Sequence, residues 1–240
     1  MKTELEFLTV HDCRVSLTAN TAVVPGVLLE EVEPDFLPVA CARASYGNQN
    51  KTGRDPSADI KLMQSLAKNK HTGPFEHVSA TFLAEVPIFV LREWHRHRTQ
   101  SYSEISMRYV TKPSSRFWVP DKWRSATDPT GNKQGSGAPL SQEKQDIAFR
   151  AYKRGCEEAR LAYCEILNTD ASREQARAVL PVGMISTMFA TANLLNWYRF
   201  WKLRNAANAM FEIQVYARRI GEQLGQLYPS AWGALTDYAE

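Results

Sequence analysis

His77-Val78-Ser79-Ala80-Thr81-Phe82-Leu83-Ala84-Glu85-Val86-Pro87-Ile88-Phe89-Val90-Leu91-Arg92-Glu93-Trp94-His95-Arg96-His97-Arg98 changes its period midway. Residues 77–86 carry the β-formers Val78, Thr81, Phe82, Leu83 and Val86 and predict a strand. Pro87 suits the first turn of a helix, whose N–H groups have no intrahelical acceptor. Ile88, Leu91 and Trp94 then recur at helical spacing and define its buried face. The helix is expected to end near Arg98, where clustered cations suit the negative end of the macrodipole.

Towards the N-terminus, residues 4–10 read as a strand and Thr21–Val24 as a weaker one. Pro34 and Asp35 open a helix running to about Ser45, which Gly47-Asn48-Gln49-Asn50 breaks. Asp55-Pro56-Ser57 starts another, ending near Asn69, with Ile60, Met63, Leu66 and Ala67 at helical spacing. Beyond the opening stretch, residues 127–141 are rich in Gly, Pro and Ser and predict a mobile loop. A long helix follows over Gln142–Leu167, with Ile147, Ala151, Ala159, Ala162 and Ile166 as its stripe. Ser172 opens a short helix that stops before Pro181. The last strong helix is expected over about Asn205–Leu227. Its apolar positions Met210, Ile213, Ala217, Ile220, Leu224 and Leu227 form a seam that fits either an internal core or a subunit contact. A few strands among several long helices point to an α+β fold. Residues 1–240 are read as one domain, because the half before the loop would leave large apolar faces uncovered.

With 44% hydrophobic and 23% charged residues, the chain has the composition of a soluble globular protein. A net charge of +3 permits anionic ligands but lacks the basic excess usual for nucleic-acid binding. No apolar run is long enough to cross a membrane, and acids occupy the N-terminus where a signal peptide needs hydrophobic residues, so a cytoplasmic location is expected. Cys13, Cys41, Cys156 and Cys164 form no CxxC pair and read as reduced, structural thiols.

Residues 94–109 place three arginines, two histidines, one acid and three serines within 16 positions. A solvated basic face is one reading of this run. A nucleic-acid-binding module is another, with Arg92, Arg96 and Arg98 on phosphates and Trp94 and Tyr102 stacking on bases. A metal site is not expected: His95 and His97 point to different faces of a helix, and Glu93 with His97 lacks a third ligand. A phosphate-bearing small ligand fits best. Arginine offers a planar fork, Ser106 a donor, and Arg177 and Arg204 supply further cations from far along the chain. The absence of GxSxG, GxGxxG and P-loop patterns leaves no nucleophile elbow and no Rossmann or Walker cradle.

Arg96-His97-Arg98, followed after seven residues by Ser106, resembles the signature of flavin-dependent thymidylate synthases. His71–His77, Pro87–Val90, Ala176–Pro181 and Asn193–Arg204 with Glu212-Ile213 are similar to further segments of that family, so the likeness spans roughly residues 36–225. It implies a central, mostly antiparallel sheet with long flanking helices, in a homotetramer whose active sites are shared between subunits. It implies methylation of dUMP to dTMP, with 5,10-methylenetetrahydrofolate as carbon donor and NADPH as reductant through FAD, and no cysteine nucleophile.

Carried over by position, Ser106 and Arg108 would hold the nucleotide phosphate, with Arg177 from a neighbouring subunit. Arg204 would meet the uracil and stabilise charge developing there, with Glu93 near the same ring. Glu104 would lie between nucleotide and flavin. Arg96, His97 and Arg98 would contact FAD, with Arg96 also near the nucleotide, and Asn193 would reach the flavin side. His71 would wall the folate or nicotinamide site. The chain departs from the family at Gly73, where Ser or Thr is common at the FAD, at Ser103, where Asn is common, and at Arg199, where Asn or His often meets the flavin. Glu93 stands where some members have Gln.

Overall fold

The computed structural model describes residues 5–23, 29, 31–110, 115–126 and 135–239. Its centre is β3 (Ser79–Pro87), the strand read from the opening stretch. β3 pairs antiparallel with β2 (Val15–Asn20) on one side and with β8 (Ile185–Asn193) on the other. β4 (Ser101–Glu104) adds to the far edge of β8, giving the order β2-β3-β8-β4. Two small ladders flank this sheet. β1 (Glu6–Leu8) runs parallel to β5 (Arg116–Trp118), and β6 (Arg124–Ala126) pairs antiparallel with β7 (Ser136–Pro139).

Inward residues of the central strands mix small and large side chains on both, with Ala80, Phe82, Ala84 and Val86 on β3 and Met188, Ala190 and Ala192 on β8. Against this face pack the aromatic side chains of α3 (Ile88–Trp94), α6 (Leu194–Arg204) and α7 (Phe211–Leu227). Trp94, Trp197, Phe200 and Tyr216 are fully buried there. Trp197 packs edge-on against Phe82 at 5.0 Å and donates its Nε1–H to the Ala80 carbonyl at 3.0 Å, so its polar group is satisfied inside the core. Glu85 is a buried charge on β3. Arg14 and Arg116 both donate to its carboxylate, each at 2.7 Å at closest, and these bonds hold its pKa down at about 2.

The helices α1 (Leu37–Ala44), α2 (Pro56–Lys68) and α8 (Pro229–Tyr238) close one end. Asp55 caps α2 by accepting from the Ser57 and Ala58 amides. Asp35 accepts from the Ser230 and Ala231 amides at 3.0 and 2.8 Å, so the first turn of α8 is capped from the other end of the chain. α4 (Gln142–Leu167) covers the β1–β5 ladder, and the short α5 (Arg173–Ala176) packs against α4 and leads towards β8.

Several expectations are corrected. The second strand lies at Val15–Asn20; residues 21–23 are not strand, and Val24 lies outside the described residues. α3 stops at Trp94, four residues early, because Arg96, His97 and Arg98 take up turn-type amide bonds to Glu93, Trp94 and Arg96. The helix expected over Asn205–Leu227 begins at Phe211, and its seam is core within the chain: Ile213, Ala217, Ile220 and Leu224 are fully buried. Ile147 is 53% exposed and Ala151 is also exposed; α4 instead buries Cys156 and Tyr163. Of the loop expected at 127–141, residues 127–134 lie outside the described residues, while Ser136–Pro139 forms β7.

Candidate active site

The strand-to-helix turn at Pro87 puts α3 across the end of the sheet, and successive residues of α3 differ in direction by about 100°. Arg92 therefore faces one side and Glu93 another. On the Glu93 side, α6 delivers Arg204 from its last turn. The Arg204 Nη1 donates to Glu93 Oε2 at 3.1 Å, its Nη2 to the Glu93 carbonyl at 2.9 Å, and its Nε to His97 Nε2 at 3.0 Å. His97 must accept through Nε2, since arginine has no acceptor, so its proton sits on Nδ1. Burial, then the neighbouring Arg204 cation, pushes the His97 pKa down to about 4. Phe200 packs edge-on against the imidazole at 4.9 Å. Tyr102 completes the turn: its hydroxyl donates to the His97 carbonyl at 2.7 Å and the Trp94 carbonyl at 3.2 Å, closing the C-terminal end of α3.

On the Arg92 side lies a cleft of about 610 Å³. Its polar lining is Arg92, Glu104, Ser106 and Arg177, and its apolar lining includes Ile88, Ile105, Leu180 and Val182. β4 supplies Glu104 at its end, and the turn after it supplies Ser106, whose Oγ accepts from the Arg108 amide at 3.3 Å. Arg108 stacks over Tyr109 at 5.6 Å and reaches the Glu174 carboxylate at 3.7 Å. Arg177 donates its Nε–H to the Glu174 carbonyl at 3.2 Å. Glu174 thus holds two arginines from distant parts of the sequence around one cleft, a natural seat for a multiply charged anion. A smaller chamber of about 180 Å³ adjoins it and shares Glu104.

The family profile described as "Thymidylate synthase complementing protein" matches residues 27–230. A flavin-dependent thymidylate synthase from Thermus thermophilus is 37% identical over 211 residues, which is 88% of this chain and 75% of that relative. This chain belongs to the flavin-dependent thymidylate synthase family. As a member of it, the protein is an enzyme. The family member from Treponema pallidum is 35% identical over 212 residues, 88% of this chain and 68% of its own. Solved structures of the UMP/dUMP methylase PolB from Streptomyces cacaoi are also similar. The one bound with 5-Br dUMP superposes with a TM-score of 0.82 at 30% identity, covering 98% of both chains. The one bound with 5-Br UMP has a TM-score of 0.80 at 28% identity, covering 99% of this chain and 98% of the other.

Against the family's expected positions, the structure gathers Glu104, Ser106 and Arg177 in one cleft of one chain, with Arg108 beside it. Glu93, His97 and Arg204 form a separate cluster; none of them lines that cleft. Arg96 and Arg98 are exposed. His71 and Gly73 are exposed on the turn before β3, and a side chain added at Gly73 would meet nothing within 4 Å. Asn193 ends β8 and caps α6, its Oδ1 accepting from the Asn196 amide at 2.9 Å, which leaves its amide N–H groups to donate. Arg199 turns back along α6 onto Asn196 Oδ1 at 3.1 Å. The donor set fits a flavin nucleotide: exposed guanidiniums for anionic oxygens and an open backbone turn at Gly73.

The nucleic-acid reading loses its stacking platform, since Trp94 is fully buried and the Tyr102 hydroxyl is tied to backbone. Among the described residues no cluster of three metal-ligating side chains exists, and no helix is long and apolar enough to cross a membrane. Sequence reasoning missed Glu174 and Ser186. The first is an acid in the first turn of α5 that no motif marks. The second sits on β8, a strand not anticipated.

Proposed function

We propose that this enzyme methylates dUMP at C5 to give dTMP, taking the carbon from 5,10-methylenetetrahydrofolate and reducing equivalents from NADPH through FAD. The observation that carries this reading is the convergence of Glu104, Ser106 and Arg177 on one cleft, with Arg108 at its rim. The hydroxyl and two guanidiniums match a phosphate monoester, and the apolar wall fits a nucleoside.

Ser106, Arg108 and Arg177 hold the phosphate. Arg204 lies against the uracil, where its fixed charge favours negative charge developing on the ring and so raises nucleophilicity at C5. Its guanidinium has more N–H groups than Glu93 and His97 use, so donors remain for the ring. Arg96, His97, Arg98, Asn193 and the Gly73 turn hold FAD, with Arg199 near it, and His71 walls the folate or nicotinamide. Bound FAD supplies the hydride chemistry that no side chain can. A cysteine nucleophile is not needed: Cys13 and Cys156 are buried with pKa values raised by burial, and neither Cys41 nor Cys164 lines the cleft.

Because the Arg204 cluster and the phosphate cleft are separate within one chain, the complete site takes one from each of two copies in a homotetramer. The ribonucleotide UMP is a second candidate substrate, favoured by the near-complete superposition on PolB bound with 5-Br UMP.

Absorbance of FAD-loaded protein tests the reading. Reduced flavin should reoxidise on adding dUMP and methylenetetrahydrofolate, with dTMP formed, and a parallel assay with UMP sets the sugar preference. Arg204→Lys should lower kcat by about a hundredfold. Protein that takes up no FAD, or an Arg204→Lys variant with full turnover, would overturn the assignment.

A further inference from the structure

We propose that Ser186 is a positioning residue that fixes the Glu104 carboxylate between the two chambers of the site, an inference that rests on the reading above. Glu104 is the last residue of the edge strand β4 and is exposed. A glutamate at a strand end has many rotamers, and one that works against a ligand must give them up.

Ser186 removes that freedom in advance. Its side chain is buried, the residue being 4% exposed, and its Oγ donates to Glu104 Oε1 at 2.7 Å. The pairing register explains the contact. Glu104 stands opposite Met188, and Ser186 lies two residues from Met188, hence on the same face and on the diagonal that a long side chain spans. The donor is also immobile, because β8 is paired on both sides near this point. Ser186 stands opposite Val86 of β3, and the Thr187 carbonyl accepts from the Ile105 amide at 2.9 Å.

The two carboxylate oxygens are therefore unequal. Oε1 is committed to Ser186, while Oε2 has no protein partner among the described residues. Glu104 lines both the larger cleft and the smaller chamber, and Ser186 lines the smaller one only. The serine thus anchors Glu104 from behind and leaves one oxygen to face a ligand.

A purely structural serine and a positioning serine differ in what removing the hydroxyl does. Ser186→Ala leaves no buried donor unpaired, and the carboxylate it releases is solvent-accessible, so stability should hardly change. Loss of a bond to a charged acceptor should instead appear at the site. We expect Ser186→Ala to lower kcat/KM for dUMP about tenfold with a melting temperature within about 2 °C of wild type. Ser186→Thr, which keeps the hydroxyl and suits a strand, should recover to within about threefold.

A double-mutant cycle on dUMP affinity, with Glu104→Ala as second change, isolates the pair. Ser186→Ala should weaken dUMP binding in the wild-type background and have no further effect when Glu104 is already alanine. Equal losses in both backgrounds, or wild-type kinetics in Ser186→Ala, would overturn the proposal. Wild-type turnover of dUMP is the control. Its absence would sink the functional reading, whereas an active wild type with an indifferent Ser186→Ala sinks only the role of Ser186.

Discussion

Arg204 is held in one orientation, because His97, the Glu93 carboxylate and the Glu93 carbonyl each take one of its N–H groups. A guanidinium fixed in advance needs no reorganisation when charge builds on a ring beside it. The arrangement depends on a neutral His97, and this gives it a pH signature. Its pKa falls from 6.5 in the unfolded chain to about 4 in the fold, so between those values the unfolded chain binds the extra proton. Stability from this group is complete above about pH 6.5 and declines as pH falls towards 4. Glu85 acts lower. With its pKa held at about 2 against 4.5, its contribution is present above about pH 4.5 and is lost as pH falls towards 2. Melting temperature measured from pH 7 to pH 3 should therefore fall in two stages. His97→Gln, which keeps an acceptor but cannot be protonated there, should flatten the upper stage and leave the lower one.

At the scale of elements, Gly183 joins the turn before β8 to α4. A Cβ at this position would overlap the Tyr152 hydroxyl, and Tyr152 is wedged among Trp118, Trp123 and Phe7 at ring distances of 5.8 to 6.4 Å. Gly183→Ala should destabilise the protein by about 1–3 kcal/mol in urea unfolding. Adding Tyr152→Phe, which removes the clashing oxygen, should restore part of that loss. Because the neighbouring Met184 lines the cleft, Gly183→Ala should also raise KM for the nucleotide.

Elements with long polar–apolar alternation at one period were legible in the sequence. α2 falls where its spacing and its Asp55 cap place it, and α4 has the bounds expected, although the first positions of its expected stripe, Ile147 and Ala151, are exposed. The missed elements share a physical cause. β8 hides its alternation because two of its inward residues, Ala190 and Ala192, are small, and its largest residue, Phe189, is 44% exposed. α6 is buried almost all round, so it has no stripe to find. α8 is capped by Asp35, a contact no local window contains. The site divides the same way. Residues in the contiguous run, His97, Glu104, Ser106 and Arg108, could be assigned from the resemblance. Ser186 and Glu174 needed the register of β8 and the packing of α5 to acquire partners.

Over the whole molecule, the cleft lined by Ser106 and Arg177 and the Arg204 cluster lie on different sides of α3, which is why a second copy is proposed to complete each site. Exposed Ile147 and Leu161 on α4 supply apolar surface of the kind a subunit contact covers. Arg108→Ala and Arg204→Ala should each be inactive alone. If sites are shared, mixed oligomers from co-expression should recover about a quarter of wild-type activity, since random assembly pairs one intact half with the other that often. No recovery would mean that each chain builds its own site.

The position of β8 in the sheet also governs how the protein is made. Thr81 on β3 and Thr191 on β8 share a hydrogen bond across 110 residues of chain. β8 is the last strand of its sheet in sequence, yet it stands between β3 and β4. During synthesis, then, β3 and β4 leave the ribosome without the neighbour that joins them, and their unpaired edges and apolar faces stay open until β8 follows. Folding of this kind is slow relative to local helix formation and leaves the nascent chain open to wrong pairings. The yield of soluble enzyme should thus depend on chaperone supply and elongation rate more than the stability of the finished fold would indicate.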